Sequence, residues 1–131
     1  MVVDSSAVLA VLLGEPDAEL YATAIGTAGS PAMSAISVLE STIVIGSRKR
    51  EKGLAILESF LRAGRIRIVT FDQAQLAIAK SAWWMYGKGR HPAGLNLGDC
   101  CSYALAKASG EPLLYKGTDF RSTDLGRLAV P

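Results

Sequence analysis

Four acidic residues, Asp4, Glu40, Asp99 and Asp119, each stand where a short apolar segment meets a helix-forming one. Asp4 directly follows Met1-Val2-Val3, and Asp119 follows Leu113-Leu114-Tyr115 after a short turn, so both read as carboxylates at the carboxyl ends of strands. Glu40 lies among Ile36, Leu39 and Ile43, whose i, i+3, i+7 spacing marks the expected inward stripe of a helix. Asp99 opens another helix, the nearly charge-free run from Cys100 to Ala106. Carboxylates on buried faces are costly unless a cation compensates them. Hard divalent ions such as Mg2+ or Mn2+ favour such oxygen ligands. One or two of them can activate a water, compensate charge on a phosphoryl group and stabilise the departing oxygen. His91 is the only histidine, so a paired acid and base histidine mechanism cannot be assembled.

Each acid also has a purely structural alternative. Glu40 could sit at the edge of its stripe and reach solvent. Asp99 could complete a capping box with Asn96, and Asp4 could cap the first helix, with Ser5 and Ser6 sharing that work. At the fourth position Asp119 competes with Thr118 and Asp124, and Lys116 is near enough in sequence to pair with an acid.

The elements that would position these residues alternate between strand and helix. Val2-Val3 reads as a strand. Helices follow from Ser5 or Ser6 to about Leu13 and from Pro16 to about Ala28, the first ended by Gly14. Pro31 to Ser34 is a second strand, and helices run from about Ile36 to Arg48 and from Gly53 to Ala63. Gly64 ends the latter before the alternating strand Arg65 to Val69. Asp72 caps a helix reaching Tyr86, on which Leu76, Ala79 and Trp83 share a stripe, and core packing or a dimer interface is expected of at least one tryptophan. A basic glycine-rich loop spans Gly87 to Gly94, and a helix runs from about Gly98 to Ser109. Leu113 to Tyr115 and Leu128-Ala129-Val130 read as the last strands. Strands separated by helices need crossovers, which favour a parallel sheet covered on both faces, with sites at the carboxyl ends of its strands.

With 131 residues, half of them hydrophobic and a fifth charged, the chain has the bulk for one domain, residues 1–131, and the composition of a compact protein. A net charge of +2 excludes a strongly basic DNA-coating protein. Cys100 and Cys101 are adjacent and diverge around a helix, so they read as small core residues in a reducing cytoplasm. The apolar stretch Ala7 to Leu13 is preceded by Asp4 and by no lysine or arginine, and is too short to span a bilayer. A cytoplasmic protein without a membrane role is expected.

The opening Met1 to Ala7, the isolated Glu40, the block Gly89 to Cys100 with Gly98-Asp99 at its end, and Leu113 to Phe120 together resemble a PIN-domain ribonuclease of the VapC toxin type. The resemblance covers essentially the whole chain, and the block ending in Gly98-Asp99 is its most specific part. It implies a three-layer α/β/α fold with a central parallel sheet, Mg2+ or Mn2+ dependence, endonucleolytic cleavage of RNA, dimerisation, and inhibition by a VapB-like antitoxin that inserts a basic side chain among the acids. Asp4, Glu40 and Asp99 match the family's three principal acids, and Asp119 is the nearest match to the fourth, in a turn where Thr118 stands in place of a possible further acid. Lys88, Arg90 and His91 become candidates for contact with RNA, as does the cluster Arg48-Lys49-Arg50, for which a solvated face is the simpler reading. Trp83, Trp84 and Tyr86 could stack on bases.

Two other functions compete. Phosphotransfer proteins also place an aspartate after the first strand, but they require a second acid beside it or an Asp-x-Asp motif, which Asp4-Ser5-Ser6 does not supply. A catalytically silent PIN-like protein-binding module is the other, and the presence of all three principal acids argues against it.

Overall fold

Successive side chains on a strand point to opposite faces of its sheet, and the two central strands use both faces. Val2 and Leu113 enter a core shared with Ala79, Ala82, Leu95, Tyr103 and Ala104, while Val3 and Leu114 enter a second core with Val8, Ile25, Met33, Ile45 and Leu57. The sheet therefore lies between two helical layers. The computed structural model describes residues 1–125 and the backbone of Arg127–Leu128. Its order is β1 (Val2–Val3), α1 (Ser5–Leu12), α2 (Ala18–Thr27), β2 (Ala32–Ser34), α3 (Ala35–Ala63), β3 (Arg67–Val69), α4 (Gln73–Tyr86), α5 (Leu97–Ser109), β4 (Leu113–Leu114), a 3-10 turn (Asp119–Ser122) and β5 (Arg127–Leu128). The strands are all parallel, in the order β3-β2-β1-β4-β5. This is the expected three-layer α/β/α arrangement. Chain connections leave β1 toward β2 on one side, and β4 returns on the other, so the end of β1 is a topological switch point, where sites form in open parallel sheets. Asp4 stands there, its amide donating to the Leu114 carbonyl at 2.9 Å.

Asp72 caps α4 as expected, accepting from the Gln75 amide, and Gly110 ends α5 in the left-handed region. Several expectations need correction. The first helix is capped by the Asp4 side chain, which accepts from the Ser6 amide as the structural alternative for Asp4 allowed, while Ser5 and Ser6 lie inside the helix and do not share the capping. The two helices expected over 36–48 and 53–63 are both present, and they meet at Arg50, which leaves the helical region with φ 53° and ψ −143°, so that only a short break separates them within α3. Its halves fold against each other: a Cβ on Gly53 would lie 2.7 Å from the Ile45 carbonyl oxygen, although eight residues along a straight helix span about 12 Å. Glycine is what that approach requires. The third strand starts at Arg67, because Arg65 turns through φ 50°. The last strand begins at Arg127, and Ala129 and Val130 lie outside the described residues.

The largest correction concerns which faces turn inward. Leu39 and Ile43 are 55% and 60% exposed, and the buried side of this part of α3 carries Ser37, Ser41 and Ile45. Small side chains with satisfied hydroxyls allow close packing there, since Ser41 Oγ donates to the Ser37 carbonyl. On α4 the buried positions are Gln75, Ala79 and Ala82, leaving Leu76, Trp83 and Trp84 exposed. Neither tryptophan is in the core, which overturns core packing and leaves an interface as the other expectation for them. No helix among the described residues is long and apolar enough to cross a membrane.

Candidate active site

The carboxyl edge of the sheet gathers the acids from four different elements. Asp4 ends β1 and is almost wholly buried. Its Oδ2 accepts from the Ser6 amide at 2.9 Å and the Ser6 hydroxyl at 2.6 Å, and its Oδ1 accepts from Ser102 Oγ at 2.6 Å. Glu40 stands in the second turn of α3, partly buried, and accepts from the Ser5 hydroxyl. Its carboxylate lies directly against Gly98 at the start of α5. A Cβ on that glycine would be 2.8 Å from Glu40 Cδ. Asp99 is buried and completes the capping box of α5: its amide donates to Asn96 Oδ1 and its Oδ2 accepts from the Asn96 amide, both at 2.9 Å. Asp119 is exposed at the first residue of the 3-10 turn.

Electrostatics join the four. The Asp99 carboxyl is pushed up to about 7, by burial first and by the charges of Asp4, Asp119 and Glu40, with the Asn96 amide opposing them. Asp99 thus occupies both roles its sequence context allows, an α5 cap and a member of the acidic group. Between the competitors for the fourth position the structure separates the partners. Asp124 accepts from Tyr103 Oη at 2.7 Å and Lys107 Nζ at 2.8 Å, Thr118 is exposed, and Lys116 binds Glu15 and Asp17, leaving Asp119 as the competitor whose charge acts on Asp99.

Among the described residues, no three carboxylate, histidine or cysteine side chains are grouped closely enough to hold an ion as they stand. The carboxylate oxygens are instead engaged by serine hydroxyls and the Asn96 amide. The chemistry of the donor set still fits a hard divalent ion: all four acids offer oxygen, and Gly98 leaves a cradle for the Glu40 carboxylate that a side chain would fill. The basic loop is arranged less openly than expected. The Arg90 guanidinium packs 3.9 Å over the Trp84 ring and 4.8 Å over Trp83, and His91 Nδ1 accepts from the Ala93 amide with its ring against Tyr86. Lys88 is exposed, as are Arg48, Lys49 and Arg50, although Lys49 also donates to the Leu12 carbonyl. Gly98 and Ser102 are the site residues that sequence reasoning missed. Only the spacing of Gly98 immediately before Asp99 hinted at the first, and nothing in sequence places Ser102 against Asp4.

The family description "PIN domain" matches residues 1–125. Relatives are similar over nearly the whole length: a protein named Ribonuclease VapC from Mycolicibacterium smegmatis is 50% identical over 125 residues, covering 95% of this chain and 97% of its own. The chain belongs to the VapC ribonucleases of the PIN-domain family. Ribonuclease VapC30 of Mycobacterium tuberculosis is 46% identical to this PIN domain over the full length of both chains. Two solved structures share the fold at low identity. Mycobacterium tuberculosis VapC20, described as a sarcin-ricin loop cleaving toxin, superposes with a TM-score of 0.75 at 14% identity and 95% coverage of each chain. A chain of a toxin-antitoxin complex from Klebsiella pneumoniae gives 0.70 at 17%, covering 94% of this PIN domain and 92% of its own length.

Proposed function

We propose that this VapC ribonuclease, acting as one PIN domain over residues 1–131, hydrolyses RNA phosphodiester bonds with Mg2+ or Mn2+ held by Asp4, Glu40, Asp99 and Asp119, and that a VapB-like antitoxin neutralises it. The observation that carries this reading is the clustering of charge. Three carboxylates act on the buried Asp99, raising the cost of ionising a group that burial already disfavours, and a cation relieves that cost. When bound, the ion supplies charge compensation at the phosphoryl group and an activated water. The chain's own residues do the rest: the serine hydroxyls orient Asp4 and Glu40, the Asn96 amide holds Asp99, and exposed Lys88 stands where it can meet the RNA backbone. An antitoxin side chain such as arginine can take the place of the ion, because a guanidinium bonds carboxylates in a bidentate fork. The exposed apolar side chains Leu39, Ile43, Trp83, Trp84 and Leu97, which line two adjoining grooves, support a homodimer.

The test is cleavage of a single-stranded RNA with Mn2+ and with excess chelator, by the wild type and by Asp4→Asn. Wild-type cleavage lost on chelation, restored by Mn2+ and absent in the variant is the expected result. Full activity in chelator would remove the metal. A wild type that cleaves nothing with any divalent ion, yet binds its antitoxin, would favour the silent binding module.

A further inference from the structure

We propose that Ser102 and Ser37 form a directional hydrogen-bond relay that positions Asp4 as a one-handed ligand for the divalent ion, a role resting on the metal reading above. Ser102 is wholly buried on α5, Ser37 is equally buried on α3, and their hydroxyl oxygens are 3.0 Å apart. Ser102 Oγ is also 2.6 Å from Asp4 Oδ1. An ionised carboxylate can only accept, so the single proton of Ser102 goes to Asp4. The proton shared between the two serines must then come from Ser37. The chain therefore runs from Ser37 to Ser102 to Asp4, joining α3, α5 and the end of β1 in a volume closed to water.

The consequence is a count of lone pairs. A carboxylate offers about four acceptor positions, two on each oxygen. Ser6 takes both on Asp4 Oδ2 through its amide and hydroxyl, and Ser102 takes one on Oδ1. One position on Oδ1 is left. A buried aspartate held in this way cannot rotate to chelate an ion with both oxygens without giving up charge-assisted bonds, so the relay fixes both the identity of the ligating oxygen and the plane in which it points. Ser102 is a positioning residue, because it touches Asp4 and acts through it. Ser37 acts one step further back.

Ser102→Ala, Ser37→Ala and the double variant would be compared with the wild type by Mn2+ calorimetry, with kcat and KM for RNA measured at limiting and saturating Mn2+. Removing a group that orients a ligand costs about 10- to 100-fold in metal affinity or activity. Ser102→Ala should therefore raise the Mn2+ Kd about tenfold and lower kcat at limiting Mn2+ with KM for RNA unchanged. Ser37→Ala should do the same more weakly, and the double variant should be no worse than Ser102→Ala, since Ser37 acts through Ser102. An unchanged Mn2+ Kd in Ser102→Ala, with the wild type binding, would overturn the relay alone. Absence of Mn2+ binding by the wild type would overturn the metal reading and the relay with it. Should Ser102→Ala melt below the assay temperature, Ser37→Ala decides, because it leaves every contact of Asp4 in place: weaker Mn2+ binding supports the relay and unchanged binding overturns it.

Discussion

Asp99 carries two opposing energies on one carboxylate. Its Oδ2 closes the capping box of α5, which favours the folded helix, while burial and the charges of Asp4, Asp119 and Glu40 disfavour its ionisation. The folded carboxyl titrates at about 7 against an ordinary value of 3.8, so between those values the folded protein binds a proton that the unfolded chain has released. Stability from this group is therefore present at low pH and is lost as pH rises through about 7. In chelator, the melting temperature of the wild type should fall between about pH 4 and pH 7 and level off above that, and that of Asp99→Asn should fall much less. Parallel melting curves for the two proteins across this range would contradict the assignment. Asparagine retains an oxygen that can accept from the Asn96 amide, whereas Asp99→Ala loses the box, a loss worth about 1 kcal/mol, so the alanine variant should melt below the asparagine variant.

At the level of elements, the site depends on α3 and α5 meeting where neither has bulk. Gly98→Ala places a Cβ against the Glu40 carboxylate on a backbone that accepts alanine, so it should weaken Mn2+ binding and cleavage severalfold while circular dichroism stays unchanged. Wild-type Mn2+ affinity in that variant would show that Glu40 can move aside freely. Arg50 interrupts α3 in a region of backbone space suited to glycine, so Arg50→Gly should stabilise the chain by about 1 kcal/mol, measured by urea unfolding. Much of this architecture was legible. The runs Val2-Val3 and Leu113-Leu114 are bounded by helix starts and turns, and acids that follow strands fall at the carboxyl edge because a parallel sheet leaves them nowhere else. The facing of α3 was not legible, since Ser37 and Ser41 are polar by type and become inward only because partners satisfy their hydroxyls. Trp83 and Trp84 show the converse: of the core and the interface that sequence allowed them, the core is excluded because Ala79 and Ala82 occupy the inward side of α4. Ser102 meets Asp4 only through the tertiary fold, across 98 residues of sequence.

For the molecule as a whole, two features outlast the packing of its two cores: an apolar surface turned to solvent and a group of like charges at one edge of the sheet. The apolar surface predicts self-association, so Ile43→Glu or Trp84→Glu should shift the protein toward monomer in sedimentation, with secondary structure retained; an unchanged distribution would place any dimer contact elsewhere. The acidic cluster predicts that the molecule is less stable without its ion than its packing allows. Thermal melting of the wild type and Asp99→Asn, each in chelator and in millimolar Mn2+ at neutral pH, tests this most directly. The four-acid site predicts that the variant melts higher than the wild type in chelator, because a repelled buried charge is gone, and that Mn2+ raises the wild type but scarcely raises the variant, since only an intact site gains by binding to the folded state. A variant that melts lower in chelator and gains as much from Mn2+ as the wild type would contradict it, leaving Asp99 as a helix cap alone.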